Sequence, residues 1–117
     1  MRHMVLIRLD PSQAPDGPSE TLIEDMNTLI EEMTKAGVLL DTAGLGVDET
    51  VRIRQTAGTQ TVLDGPFTES KEIIGGYCLL QTRSTEEAVE WASRFLRVHG
   101  PEWNLEVEVR KIEGGQN

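Results

Sequence analysis

Six residues carry the groups with which this chain would do chemistry: His3, Asp64, Phe67, Lys71, Glu72 and Tyr77. Asp64 is followed by Gly65, Pro66 and Phe67. As a turn this is unremarkable, since Asp and Gly accept turn geometry and Pro fixes its own φ. As a site, Asp64 ends a strand, Phe67 walls a pocket beside it, and the carboxylate serves as a general base. Lys71 stands between the carboxylates of Glu69 and Glu72. On a wet surface that cluster is an ion pair worth little. In a pocket, Lys71 binds an anionic substrate and Glu72 orients it.

His3 heads an apolar run. It is either an ordinary strand-end residue or, facing a cavity, a proton shuttle near neutral pH. Tyr77 follows Gly75-Gly76, a pair that leaves space over a sheet. Its hydroxyl either reaches a ligand there or is satisfied within the core. His99, beside Gly100-Pro101, reads as structural. Arg52 and Arg54 share one face of a hairpin, where they salt-bridge a dimer partner or hold one carboxylate.

Composition limits what these residues can serve. The chain has 117 residues, with 11 Lys and Arg against 20 Asp and Glu, a net charge of −9. Nucleic-acid affinity is built on Lys and Arg, so this balance argues against a direct nucleic-acid partner. One cysteine, Cys78, excludes an internal disulfide, and two histidines argue against a metal site. Cys78 sits in an apolar run and reads as a small buried hydrophobe. No nucleotide-binding glycine loop, nucleophile elbow or HExxH metal motif occurs, and no cofactor is implied. No apolar window reaches the length of a membrane span, and the apolar N-terminal run is too short for a signal-peptide core. A cytoplasmic protein is the expectation.

The elements that must hold these residues follow from periodicity. Residues 3–9 form an apolar strand, and Asp10-Pro11 and Asp16-Gly17-Pro18 mark a loop. Ser19 caps a helix whose apolar stripe is Leu22, Met26, Leu29 and Met33, and Gly37 closes it. Val38-Leu39-Leu40 starts a second strand, with residues 43–46 a flexible segment. Residues 51–54, alternating apolar and basic, predict a half-buried strand that pairs with residues 61–64 across a turn at 57–59. Residues 73–82 are apolar on both faces, so both need cover. Ser84-Thr85-Glu86-Glu87 is a capping box ahead of a second amphipathic helix. Leu105 to Val109 alternates as a last strand.

This order, β-α-β-(hairpin)-β-α-β, describes an α+β, ferredoxin-like sandwich with an inserted β-hairpin. Residues 1–112 make one domain, and 113–117 a polar tail expected to be mobile. Both helices cover one sheet face. The other is also apolar, and nothing else in the chain is left to cover it, so a homodimer packing sheet toward sheet is expected.

Asp64-Gly65-Pro66-Phe67, continued by Thr68-Glu69-Ser70-Lys71-Glu72 and Gly75-Gly76-Tyr77, resembles the signature of DGPF-domain proteins of the YCII-related family. The first strand, the Ala36-Gly37-Val38-Leu39 turn and the stretches at 87–92 and 108–110 extend the likeness over nearly the whole chain. The resemblance implies a dimeric α+β barrel. YCII-like relatives carry a His–Asp pair with its His on the first helix, but residues 19–36 contain no His, so that pair cannot be carried over. The expected function is a homodimer that binds a small organic ligand in a pocket between sheet and helices near the DGPF motif. Cofactor-independent acid–base chemistry would use Asp64 and His3, and Phe67, Lys71, Glu72 and Tyr77 would bind the ligand. The alternative is a non-catalytic interaction module, with an extracytoplasmic-function sigma factor as the partner the resemblance suggests.

Overall fold

The structure is a computed structural model that describes residues 1–67 and 73–114. Its described elements run β1 (Arg2–Leu9), α1 (Glu20–Lys35), β2 (Leu39–Gly44), β3 (Val51–Thr56), β4 (Thr59–Asp64), β5 (Ile73–Gln81), α2 (Thr85–His99) and β6 (Leu105–Lys111). Four strands form one antiparallel sheet in the order β2-β5-β1-β6, and β3 and β4 pair apart from it. This is an α+β architecture compatible with the ferredoxin-like expectation.

Helix ends form where their caps predict. The Ser19 hydroxyl accepts from Leu22 N at 3.1 Å, and Gly37 takes φ +73°, a left-handed conformation that suits glycine. At the second helix, Ser84 Oγ accepts from Glu87 N at 3.1 Å. The Glu87 carboxylate reaches one residue further back than the capping-box pattern predicts, to the Arg83 amide at 3.1 Å.

β1 against β5 sets the layers. His3 faces Leu80, Val5 faces Cys78 and Ile7 faces Gly76. These residues, with Leu29 and Met33 of α1 and Ala88, Ala92 and Phe95 of α2, make the core. Cys78 is buried there, as its apolar setting predicts, and burial pushes its thiol pKa up so that it stays protonated. The opposite face carries Met4, Leu6, Tyr77 and Leu79. They are only half-buried, so the cover expected over both faces of β5 is present on one.

Two segments depart from expectation. β2 continues through Ala43 and Gly44, because pairing with Tyr77 and Gly76 outweighs the weak strand preference of Gly. The hairpin strands form, with a tighter turn at Ala57-Gly58, both at positive φ. They are not half-buried, however: Val51, Ile53 and Val62 are 55%, 66% and 61% exposed. Among the described residues no helix lies over the hairpin, which pairs apart from the main sheet. The radius of gyration is accordingly 16.1 Å, against about 13 Å for a compact domain of this length. No helix among the described residues is long and apolar enough to cross a membrane.

Leu80 is fully buried at the centre of this core. Leu80→Ala should lower unfolding free energy in urea by about 2–5 kcal/mol. Ser84→Ala, which removes one cap, should cost about 1 kcal/mol. Equal losses would show that Leu80 is not the packing centre.

Candidate functional site

A cavity of about 650 Å³ opens between α1, α2 and the sheet. Its walls are mainly apolar, with Met26 and Ile30 from α1, Phe95 from α2 and Trp103 beyond it. Its floor depends on glycine. A Cβ on Gly76 would lie 3.0 Å from Ala43 O and 3.3 Å from Ile7 Cδ1, and one on Gly75 would overlap Leu9 Cδ2 at 2.5 Å. The Gly75-Gly76 pair therefore lets Leu9, Ile7 and the Ala43 carbonyl approach closely, and these neighbours, not empty space, lie over the two glycines at the cavity floor.

His99 lines this cavity at the end of α2. Its Nδ1 lies 2.9 Å from the Phe95 carbonyl, which can only accept, so Nδ1 carries the proton. In the neutral ring Nε2 is then the acceptor. Edge contacts to Phe95 and Trp103, with ring centroids 5.1 and 5.8 Å away, fix the plane of the imidazole. A histidine held in one tautomer in a mostly apolar cavity can accept or deliver a proton. The spacing held the signal: Ala88, Ala92, Phe95 and His99 recur at 4, 3 and 4 along one helical stripe. The following Gly100-Pro101 instead directs attention to the helix stop.

The residues singled out from sequence do not converge on this cavity. Asp64 ends β4 and is exposed. Gly65 is pinned by its amide to Thr50 O at 2.6 Å, so the Asp-Gly-Pro segment turns against the start of β3. Phe67 lines a second cavity of about 360 Å³ with Arg8, Thr50, Arg52, Ile73 and Ile74. The space between sheet and helices and the space beside the DGPF motif are thus two cavities. Lys71 and Glu72 lie outside the described residues, as do Thr68, Glu69, Ser70 and residues 115–117 of the tail.

Tyr77 points to the face away from the helices, where its hydroxyl donates to Asp41 Oδ2 at 2.7 Å. That hydrogen bond, with desolvation and the Asp41 charge, raises the phenol pKa and keeps it protonated. His3 faces the helices and is fully buried, with Nε2 3.0 Å from Thr85 Oγ1 and Nδ1 without a partner among the described residues. Burial foremost, then the N-terminal ammonium and Lys111, push its pKa below the ordinary 6.5. Among the described residues no group of three or more His, Cys, Asp or Glu is placed to hold a metal ion.

The His3 shift fixes a sign. The unfolded chain takes up a proton as pH falls through about 6.5, while folded His3 resists it, so His3 withdraws stability on acidification. His3→Gln should flatten the loss of stability between about pH 7 and 5 in urea titrations. An unchanged slope would mean His3 titrates alike in both states.

Similarity to known proteins agrees with the fold. The chain is 32% identical over 74 residues to a protein of Rhizobium meliloti (strain 1021) described as uncharacterised. The match spans 62% of this chain and 60% of that relative's length. A family model described as the YCII-related domain covers residues 1–111. With the motif at residues 64–67 and the α+β fold, this coverage means that the chain belongs to the YCII-related family.

Proposed function

We propose that this protein is a homodimer that binds a small, largely apolar organic molecule between α1, α2 and the sheet, and moves a proton on it without a cofactor. The cavity of about 650 Å³ with a tautomer-fixed His99 in its wall carries this reading. The apolar walls would exclude water from the bound molecule, and Asn27 and Thr42 give the cavity polar groups to orient it. His99 Nε2 would take or return the proton. His3 and Asp64, the acid–base pair expected from sequence, contribute nothing to this cavity in a single chain, since one is buried against Thr85 and the other is exposed on the hairpin.

The pairing surface in this reading is the sheet face that the helices leave open. Met4, Leu6, Tyr77 and Leu79 form an apolar patch there, and a second copy would bury it. Packing sheet on sheet in this way corresponds to the dimeric α+β barrel that the DGPF resemblance implies.

The neutral dye N-phenyl-1-naphthylamine tests the cavity. It should bind saturably to the folded chain, and Met26→Trp should weaken it about tenfold by filling the space. α-Proton exchange of 1-tetralone in D2O, followed by NMR, tests the chemistry. His99→Gln should cut catalysed exchange at least about a hundredfold while leaving dye affinity unchanged. Absent dye saturation removes the cavity, and exchange untouched by His99→Gln removes the proton carrier. Light scattering at micromolar concentration should give two 13.0 kDa copies, with Leu6→Glu returning the chain to one. A wild-type mass of 13.0 kDa would remove the dimer.

A second reading, an interaction module with a regulatory partner such as a sigma factor, is favoured by one observation: the hairpin exposes Val51, Ile53 and Val62. Under it, changes to the hairpin abolish partner capture and His99→Gln does not.

A further inference from the structure

The cavity beside Phe67 is separate from the one assigned above, and its chemistry differs. It is bounded by the end of β1, the segment before β3, the start of β3, Phe67 and the start of β5. Ile73, Ile74 and Val47 supply apolar wall. Two guanidinium groups also line it, on a chain whose net charge is −9.

Those two cations are in different states. Arg8 Nη1 donates to Glu108 Oε2 at 2.5 Å, so its charge is already balanced. Arg52 sits over the Phe67 ring, with its central carbon 3.8 Å from the ring centroid. Among the described residues Arg52 has no carboxylate partner. A contact with the ring does not use up the five N–H donors of a guanidinium, so donors remain for another partner. It also holds the side chain in place, so less freedom is lost when that partner binds.

We infer that Arg52, seated over Phe67, is the anchor of a binding site for a small organic carboxylate with a flat or apolar body. A guanidinium edge presents two parallel donors that match the two oxygens of a carboxylate. The ligand's body would rest against Ile73, Ile74 and Val47. Inorganic phosphate fits less well. It has no apolar part to use these walls, and its second charge would meet only the Glu108-balanced Arg8. The Thr50 hydroxyl adds no donor, because its hydrogen is given to Val47 O at 2.8 Å.

The test uses the full chain in the oligomeric state it holds in solution. Benzoate, benzamide and inorganic phosphate are titrated against it by two-dimensional amide NMR. Benzoate should shift the Thr50, Arg52, Phe67, Ile73 and Ile74 amides along saturable curves. Benzamide, of the same shape without the charge, and phosphate, with charge but no ring, should each bind at least about tenfold more weakly. Arg52→Gln should lose benzoate affinity about tenfold or more, and Arg54→Gln, one step outward on the same hairpin face, should keep it. Arg52→Lys retains charge without the fork and should fall between. Failure of benzoate to saturate overturns the site. Equal binding of benzamide or phosphate overturns the ligand class, and full affinity in Arg52→Gln overturns the anchor. Dye binding at the His99 cavity is a separate readout, so either site can fail alone.

Discussion

The register of β1 against β5 is the constraint on which the rest of this structure depends. Strand side chains alternate between faces, so a slip of one residue would exchange the two sets. In the observed register His3, Val5 and Ile7 join Cys78 and Leu80 beneath the helices, and Met4, Leu6, Tyr77 and Leu79 face away. Pairing shifts by one at Gly75, between Ile7 and Arg8. That irregularity lies where the helix-side cavity opens, with Gly76 as its floor. β-Bulges commonly re-aim side chains beside functional sites, and here Leu9 closes over a glycine that has no Cβ to oppose it.

From this register comes a division of labour between layers. The helix side carries the core, the larger cavity and His99. The outward side carries the apolar patch and the Tyr77–Asp41 bond. The hairpin and the DGPF segment form a third region, closed on itself by the hydrogen bond from the Gly65 amide to the Thr50 carbonyl. His3 and Tyr77 lie on adjacent strands three register positions apart, and they belong to opposite faces, so they cannot serve one ligand in one chain.

Much of this was legible in the sequence, because local rules wrote it. Ser19, Ser84, Gly37 and the stripe from Leu22 to Met33 set helix ends and faces through short-range chemistry. The β-hairpin followed from alternation and a turn. The site was less legible, because cavities are made by residues far apart in sequence. Phe67 meets Arg52 and His99 meets Trp103 and α1's cavity only through the register and the helix docking. Alternation of apolar and basic residues at 51–54 correctly signals a strand, but it cannot say whether anything will lie over it. His99 illustrates the same limit: its spacing put it on the apolar stripe, while its neighbours Gly100 and Pro101 made it look like punctuation.

The detached hairpin brings a hazard of its own. Each of its strands has one edge whose backbone donors and acceptors are not paired within the main sheet, and its apolar side chains lie in the open. Such an edge is a template on which other extended chains can grow. Arg52 and Arg54 alternate with Val51 and Ile53 along β3, so stacking this strand in register and in parallel on copies of itself would also stack cations. Like charges stacked in this way oppose fibrous self-association. Chains in this family that replaced both with neutral residues would be expected to trade colloidal solubility for a stickier arm.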